Sequence, residues 1–239
     1  MTTLLLTNDD GLDAPGLHAL ADVMQQFGTV IVVAPHIELS GCSHRVTTDR
    51  PLRLQQVAPQ RYRLDGTPAD CVRIALAHLD LKVDYVVSGI NPGGNLGADV
   101  YLSGTVAAVR EAAHWRIPGI AISQYRRTRE PIDWDQARRW STEVVAGLLA
   151  NPKHSPGFWN VNLPDPPPSA IAPSSVADSR PTPPIAHCAV DTNPLFVRFE
   201  GTDDGLVYRG RYQERARTEG RDVACCFSGA ITVSRIDLL

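Results

Sequence analysis

Two adjacent carboxylates, Asp9 and Asp10, follow directly on the first apolar run, in Leu4-Leu5-Leu6-Thr7-Asn8-Asp9-Asp10-Gly11. Side by side at the end of a buried strand they repel each other. One must keep its proton, or a cation must sit between them. The working expectation is a cation, although the same Asn-Asp-Asp-Gly stretch also suits a solvated turn. Three other stretches offer oxygen atoms or backbone N–H groups. Leu39-Ser40-Gly41-Cys42-Ser43 brings a hydroxyl at Ser40. Ser88-Gly89-Ile90-Asn91-Pro92-Gly93-Gly94-Asn95-Leu96-Gly97 brings amide carbonyls at Asn91 and Asn95. Ser103-Gly104-Thr105 brings hydroxyls and orphan N–H groups at a helix start, which is either an anion seat or a simple cap. Carboxylate, hydroxyl and amide oxygens together suit a hard cation such as Mg²⁺ or Mn²⁺ and not a thiolate zinc site. The glycine-rich stretch has neither a Gly-Lys-Ser/Thr ending nor the order Gly-x-Gly-x-x-Gly. It serves close backbone approach to a metal or phosphate, or it is a plain connection. His36 and His44 lie close to Ser40 in sequence, as general-acid candidates or as solvated loop residues. Arg126-Arg127-x-Arg129 reads as a solvated edge that could also steer a phosphate.

These stretches need elements to hold them, and the apolar patterning supplies a βαβ rhythm. Leu4 to Thr7 is a strand; Pro15-Gly16 opens an amphipathic helix through Leu17, Leu20 and Val23. Val30 to Ala34 is a second buried strand ended by Pro35, and Leu52 to Val57 with Tyr62 to Leu64 reads as a hairpin. Thr67-Pro68-Ala69-Asp70 starts a helix, with Thr as N-cap and Pro at the first helical position. Val83 to Ser88 and Ile117 to Ser123 are further strands, separated by the glycine-rich loop and a helix running from Ser103 to His114. Asp133 to Leu149 is a long helix with Trp134 and Trp140 on its core stripe, and Phe158 to Leu163 is one more strand. The pattern predicts a doubly wound, mostly parallel α/β sheet in three layers over residues 1–163. In such sheets ligands bind where loops leave the carboxyl ends of the strands. Residues 164–239 read as a proline-rich linker (Pro164 to Pro184) and a small β-rich extension, with strands near Leu195 to Glu200, Leu206 to Arg209 and Ala230 to Ser234. The extension is a candidate oligomerisation element.

Bulk properties narrow the function classes. At 239 residues the chain holds one large domain or a domain with an appended lobe. A net charge of −3 gives no basic surplus, which argues against a nucleic-acid polymer as partner. No apolar stretch approaches the ~20 residues of a membrane span, and Met1-Thr2-Thr3-Leu4 has no signal-peptide character. The odd set Cys42, Cys71, Cys188, Cys225 and Cys226, without Cys-x-x-Cys, reads as reduced thiols in a cytoplasm.

Taken together, these segments resemble the SurE survival-protein family of nucleotidases. The matching pieces are Thr7-Asn8-Asp9-Asp10-Gly11 with Ala14-Pro15-Gly16, Val32-Val33-Ala34-Pro35 with Ser40-Gly41, and Gly66-Thr67-Pro68-Ala69-Asp70-Cys71-Val72. They continue with Val87-Ser88-Gly89-Ile90-Asn91, Gly93, Asn95-Leu96-Gly97, Ser103-Gly104-Thr105-Val106 and Ile120-Ala121-Ile122-Ser123. Order and spacing hold from Thr7 to Ser123, fade through Asn160 to Pro164, and are weak in the tail. The resemblance implies a metal-dependent phosphomonoesterase acting on nucleoside 5′- and 3′-monophosphates. One divalent ion, Mg²⁺ or Mn²⁺, would be held by Asp9, Asp10, Ser40 and Asn91. Asn95, Ser103, Gly104 and Thr105 would line the phosphate pocket, and Asn8 would support the first loop. Asp9 and Asp10 would act in catalysis, with Asp9 orienting or deprotonating a metal-activated water, and Asn95, Ser103 and Thr105 would stabilise phosphoryl charge. The resemblance also implies a homodimer or homotetramer that exchanges C-terminal segments. The chain departs near its end, where Leu239 closely follows Ile231-Thr232-Val233-Ser234 without the Thr-Pro and C-terminal helix of many relatives. Leu102 and Ala98 also depart, as adjustments of the pocket rim. Two rival readings are a haloacid-dehalogenase-type phosphatase and a nucleotide sensor without turnover. The first needs Asp-x-Asp, where Gly11 stands in the second aspartate's place.

Overall fold

Among the described residues nine strands form one sheet in the order β3-β4-β2-β1-β5-β6-β7-β11-β8, and its centre is built from their most apolar strands. The computed structural model describes residues 2–128, 130–150, 157–165 and 182–238. Strands β1 (Thr3–Thr7), β2 (Thr29–Pro35), β5 (Tyr85–Asn91), β6 (Gly119–Gln124) and β7 (Gly157–Leu163) run parallel. β3 (Leu54–Ala58) and β4 (Arg61–Leu64) form the expected hairpin at one edge, with β4 parallel to β2. The chain winds outward from β1 through β2 and then returns to lay β5 on the other side of β1. That reversal is the topological switch point, where a crevice opens beyond the strand ends.

Alternate residues of the central strands serve two cores. Leu4 and Leu6 of β1 join Leu17, Leu20 and Met24 of α1 (Pro15–Met24) and Trp140, Val144 and Leu148 of α5 (Trp134–Ala150). Leu5 points the other way, to Val72 and Leu76 of α2 (Pro68–Ala77) and Val106 and Val109 of α4 (Gly104–His114). A strand buried on both faces must be apolar at its centre, and β1 is, at Leu4, Leu5 and Leu6. The α2 start is a full capping box: Thr67 Oγ1 accepts from Asp70 N–H at 3.2 Å and Asp70 Oδ2 accepts from Thr67 N–H at 2.9 Å.

A four-residue helix, α3 (Asp99–Leu102), closes the stretch expected to be loop, directly before α4. The tail does two separate things. β9 (Phe199–Thr202) and β10 (Gly205–Tyr208) make an isolated two-stranded hairpin near the expected positions. β8 (Ile185–His187) and β11 (Ile231–Asp237) instead extend the main sheet, β11 antiparallel to β7 along Thr232–Asp237. The main sheet thus draws strands from both sides of residue 163. The intervening α6 (Asp222–Phe227) was not apparent in the sequence. Most of the Pro164 to Pro184 stretch lies outside the described residues. Among the described residues no helix is long and apolar enough to cross a membrane.

Candidate active site at the carboxyl edge of the sheet

The loop leaving β1 is held by its own asparagine. Asn8, fully buried, donates through Nδ2 to the Gly11 carbonyl at 2.9 Å and accepts at Oδ1 from the Gly11 N–H at 3.2 Å. Asn8 therefore fixes the turn that carries the aspartates. The Leu39 N–H donates to the Asp9 carbonyl at 2.7 Å, which ties the exit of β2 to the exit of β1. On the far side, α1 packs against the exit of β5. A Cβ on Gly16 would fall 2.0 Å from the Ile90 carbonyl oxygen, so only glycine allows that approach.

The start of α4 sits directly on Asp9. Thr105 Oγ1 donates to Asp9 Oδ1 at 2.5 Å. A Cβ on Gly104 would come 2.9 Å from Asp9 Oδ2 and 2.8 Å from Cys42 Sγ. The missing side chain at Gly104 is what lets the positive end of the helix approach the carboxylate. Ser103 Oγ accepts from the Val106 N–H at 3.0 Å and so caps the helix.

The two carboxyls carry opposite burdens of solvation and partnership. Asp9 is 4 % exposed, and burial pushes its carboxyl above the ordinary range. The Thr105 hydroxyl works against that push, and the Glu38 carboxylate adds to it. Asp10 is raised from 3.8 to about 7, first by burial, then by the neighbouring Asp9 charge and by Glu38. Its Oδ2 is buried with no hydrogen-bond partner among the described residues. An orphaned carboxylate oxygen beside a second buried carboxylate is costly unless a cation or a proton is present. Glu38, which the sequence reading passed over, is thus a third negative charge facing the pair. Its position two residues before Ser40, in a strand-exit loop, was the available signal.

The other expected site residues take more than one role. Ser40 is exposed, and its hydroxyl donates to Glu38 Oε1 at 2.7 Å. Asn91 Nδ2 donates to the Gly93 carbonyl at 2.6 Å, so the amide nitrogen holds the loop and Oδ1 is the atom suited to a cation. Asn95 is nearly buried and serves the scaffold. Its Nδ2 donates to Ser123 Oγ at 2.8 Å, its N–H to Asn162 Oδ1 at 2.7 Å, and its carbonyl accepts from Asn160 Nδ2 at 2.8 Å. His44 Nε2 is 2.9 Å from Glu111 Oε2 on α4, an engagement that draws it into the flank of that helix. His36 is exposed. Arg126 donates to the Glu130 carbonyl, and Arg127 to the carbonyls of Asp165 and Phe227. Both therefore secure loops, and Arg129 lies outside the described residues.

The donor set fits a hard cation better than a soft one. Among the described residues no group of three or more His, Cys, Asp or Glu is arranged to hold a metal. A divalent ion here would draw on the two carboxylates, one with an orphaned oxygen, supplemented by hydroxyl and amide oxygens. The neighbouring Cys42 is pushed up to about 11, chiefly by burial and next by Asp9, so it stays a thiol and not a thiolate ligand. All five cysteines are free.

Known proteins are similar to this chain along most of its length. The family described as Survival protein SurE matches residues 4–182. A Nostoc sp. protein named "Putative 5'-nucleotidase" is 46% identical over 234 residues, covering 98% of this chain and 99% of its own. A protein of Paramagnetospirillum magneticum named 5'-nucleotidase SurE is 36% identical, over 97% of this chain and 88% of its own. The crystal structure of the SurE protein from Aquifex aeolicus aligns with a TM-score of 0.82 at 31% identity, covering 99% of this chain and 94% of that one. With the matched residues spanning the exits of β1, β2 and β5 and the start of α4, this chain belongs to the SurE survival-protein family.

Proposed function

We propose that this protein is a metal-dependent phosphomonoesterase that hydrolyses nucleoside 5′- and 3′-monophosphates to nucleoside and phosphate. The observation that carries the reading is the buried Asp9 beside a half-buried Asp10 whose Oδ2 is orphaned, set under the N-terminus of α4. The names of the relatives supply the nucleotide as substrate class. Asp9, Asp10, Ser40 and Asn91 would hold one Mg²⁺ or Mn²⁺. When bound, such an ion supplies Lewis-acid polarisation of a phosphoryl oxygen and lowers the pKa of water.

The chain's own residues do the rest. Asp9, fixed by the Thr105 hydroxyl, orients the attacking water and takes its proton. The N–H groups at Gly104 and Thr105 and the hydroxyl of Ser103 meet the charge that builds on the phosphoryl oxygens. Asn8 and Asn95 keep the two loops in register through their backbone bonds. The free thiols fit a cytoplasmic setting. The exposed Phe199, Leu206 and Tyr208 of the β9–β10 hairpin fit burial in a dimer or tetramer.

The test is phosphate release from 5′-AMP and 3′-AMP by chelator-treated protein resupplied with Mg²⁺ or Mn²⁺. The expected result is metal-dependent turnover that Asp9→Asn abolishes. Turnover by Asp9→Asn at the wild-type rate would remove Asp9 from the mechanism. A folded, metal-loaded wild type that releases no phosphate would leave a nucleotide sensor in its place.

A further inference from the structure

The glycine-rich loop is fastened from the tail, by residues beyond the span of the family match. The Tyr212 hydroxyl lies 3.0 Å from the Gly94 carbonyl and 2.9 Å from Asp99 Oδ2, so its one proton serves two loop acceptors. Arg215 grips Asp99 with both arms, Nη1 to Oδ2 at 2.7 Å and Nη2 to Oδ1 at 3.1 Å, and Nη1 also donates to the Leu96 carbonyl at 3.0 Å. Its guanidinium lies 3.8 Å from the centre of the Tyr212 ring. Asp222, fully buried, accepts the Gly97 N–H at 2.9 Å through Oδ2, and the Asp191 N–H at 2.7 Å through Oδ1. Beneath the loop a small apolar core joins Leu96 to Tyr125, Val223 and Cys226, with Tyr212 and Phe227 packed on it.

The four fastened positions, Gly94, Leu96, Gly97 and Asp99, lie between Asn91 at one end and Ser103, Gly104 and Thr105 at the other. Glycine-rich backbone has little stiffness of its own. Its carbonyls and N–H groups here are satisfied by side chains more than a hundred residues away. We infer that Tyr212 and Arg215, with Asp222, are positioning residues for the site: they set the placement of the Asn91 loop and of the α4 start without touching substrate. Bidentate geometry makes Arg215 the strongest single fastener, because two parallel charge-assisted bonds fix direction as well as distance. Lysine cannot reproduce that fork. The inference rests on the nucleotidase reading for its catalytic consequence, and on the loop contacts alone for its structural one.

The test compares Arg215→Ala, Arg215→Lys and Tyr212→Phe with the wild type. Arg211→Ala serves as control, because among the described residues Arg211 forms its ion pair with exposed Glu214, away from the loop. Steady-state kinetics with 5′-AMP and Mn²⁺ should show kcat lowered by about tenfold or more in Arg215→Ala with KM changed far less, since small misplacements act on the chemical step. Arg215→Lys should fall between, millimolar guanidinium should raise the Arg215→Ala rate severalfold, and Arg211→Ala should match the wild type. Hydrogen exchange at Leu96 to Asp99 should accelerate in Arg215→Ala while α1 and β1 keep their protection. Exchange in that loop unchanged from wild type would overturn the clamp itself. Accelerated exchange with kcat and KM both within twofold of wild type would overturn its role in positioning. A wild type without turnover refutes the nucleotidase reading, and the exchange experiment still decides the clamp.

Discussion

The strain between Asp9 and Asp10 makes a thermodynamic prediction that does not depend on turnover. In metal-free protein the Asp10 carboxyl is raised from 3.8 to about 7, by burial first and by Asp9 and Glu38 next. A carboxyl raised in the folded state stabilises folding only while it is protonated there. Its contribution is complete below pH 3.8 and is lost as pH rises through about 7. Each tenfold change in proton affinity is worth about 1.4 kcal/mol. The cost of keeping Asp10 folded therefore grows from about 0.5 kcal/mol at pH 4 to about 4 kcal/mol at pH 8. Solvent on its open side screens part of this, so about 2–4 kcal/mol is the expected range. Asp10→Asn removes the charge and keeps the shape. In a chain of this size 1 kcal/mol moves Tm by about 2–4 °C. After chelation, Asp10→Asn should melt about 10 °C above wild type at pH 8, with the gap nearly closed at pH 4. Saturating Mn²⁺ should close most of that gap at pH 8, because wild type gains about 2.7 kcal/mol at a hundredfold excess over Kd and the variant has lost a ligand. The assay is a thermal melt by circular dichroism across that pH range, with and without Mn²⁺. A Tm difference independent of pH in chelated samples would refute the reasoning, because Asp10 would then be ordinarily solvated.

Three further changes probe the neighbours. Gly104→Ala should cost about 1–3 kcal/mol in a denaturant melt and lower kcat by about a hundredfold, since its Cβ would lie 2.9 Å from Asp9 Oδ2. Thr105→Val removes the hydroxyl that opposes the raising of Asp9. Mn²⁺ affinity by titration calorimetry should then drop more at pH 6 than at pH 8, as the proton competes better for the pair. Asp70→Ala breaks the capping box of α2 and the contacts of its carboxylate with the Thr47 N–H and hydroxyl, and should cost about 1–2 kcal/mol in the same melt.

The parts of the fold legible in the sequence are those whose signal is repeated along the chain. Leu4 to Leu6 and Val30 to Ala34 announce buried parallel strands because both faces must be apolar. Thr67-Pro68-Ala69-Asp70 announces a helix start because each residue meets a different orphan group there. The short tail elements offered no such repetition. β8 spans three residues and is defined by its neighbour β11, and α6 spans six. The α3 turn was hidden for the same reason: its four residues follow a glycine-rich run that reads as loop. Asn95 shows a different limit. Its type suited a phosphate ligand, yet its backbone and amide nitrogen are taken by Ser123, Asn160 and Asn162. Residue type states what an atom can do, and only the surrounding strands state which partner it has.

The aspartate pair carries that distinction furthest. In sequence, Asn8-Asp9-Asp10-Gly11 taken alone favoured a solvated turn, and the Asn8–Gly11 bonds show that a turn is present. What separates a turn from a site is burial of Asp9 together with an oxygen on Asp10 that nothing among the described residues satisfies. Both follow from position at the switch point between β1 and β5, where the helices leave a crevice and α4 can bring its N-terminus onto the floor. Thr105 then gives Asp9 a partner, while Asp10 Oδ2 has none among the described residues, so the pair is asymmetric before any ligand arrives. That asymmetry fits the role proposed for Asp9 in orienting water. It also makes Asp10 the carboxyl whose charge must be met from outside the chain.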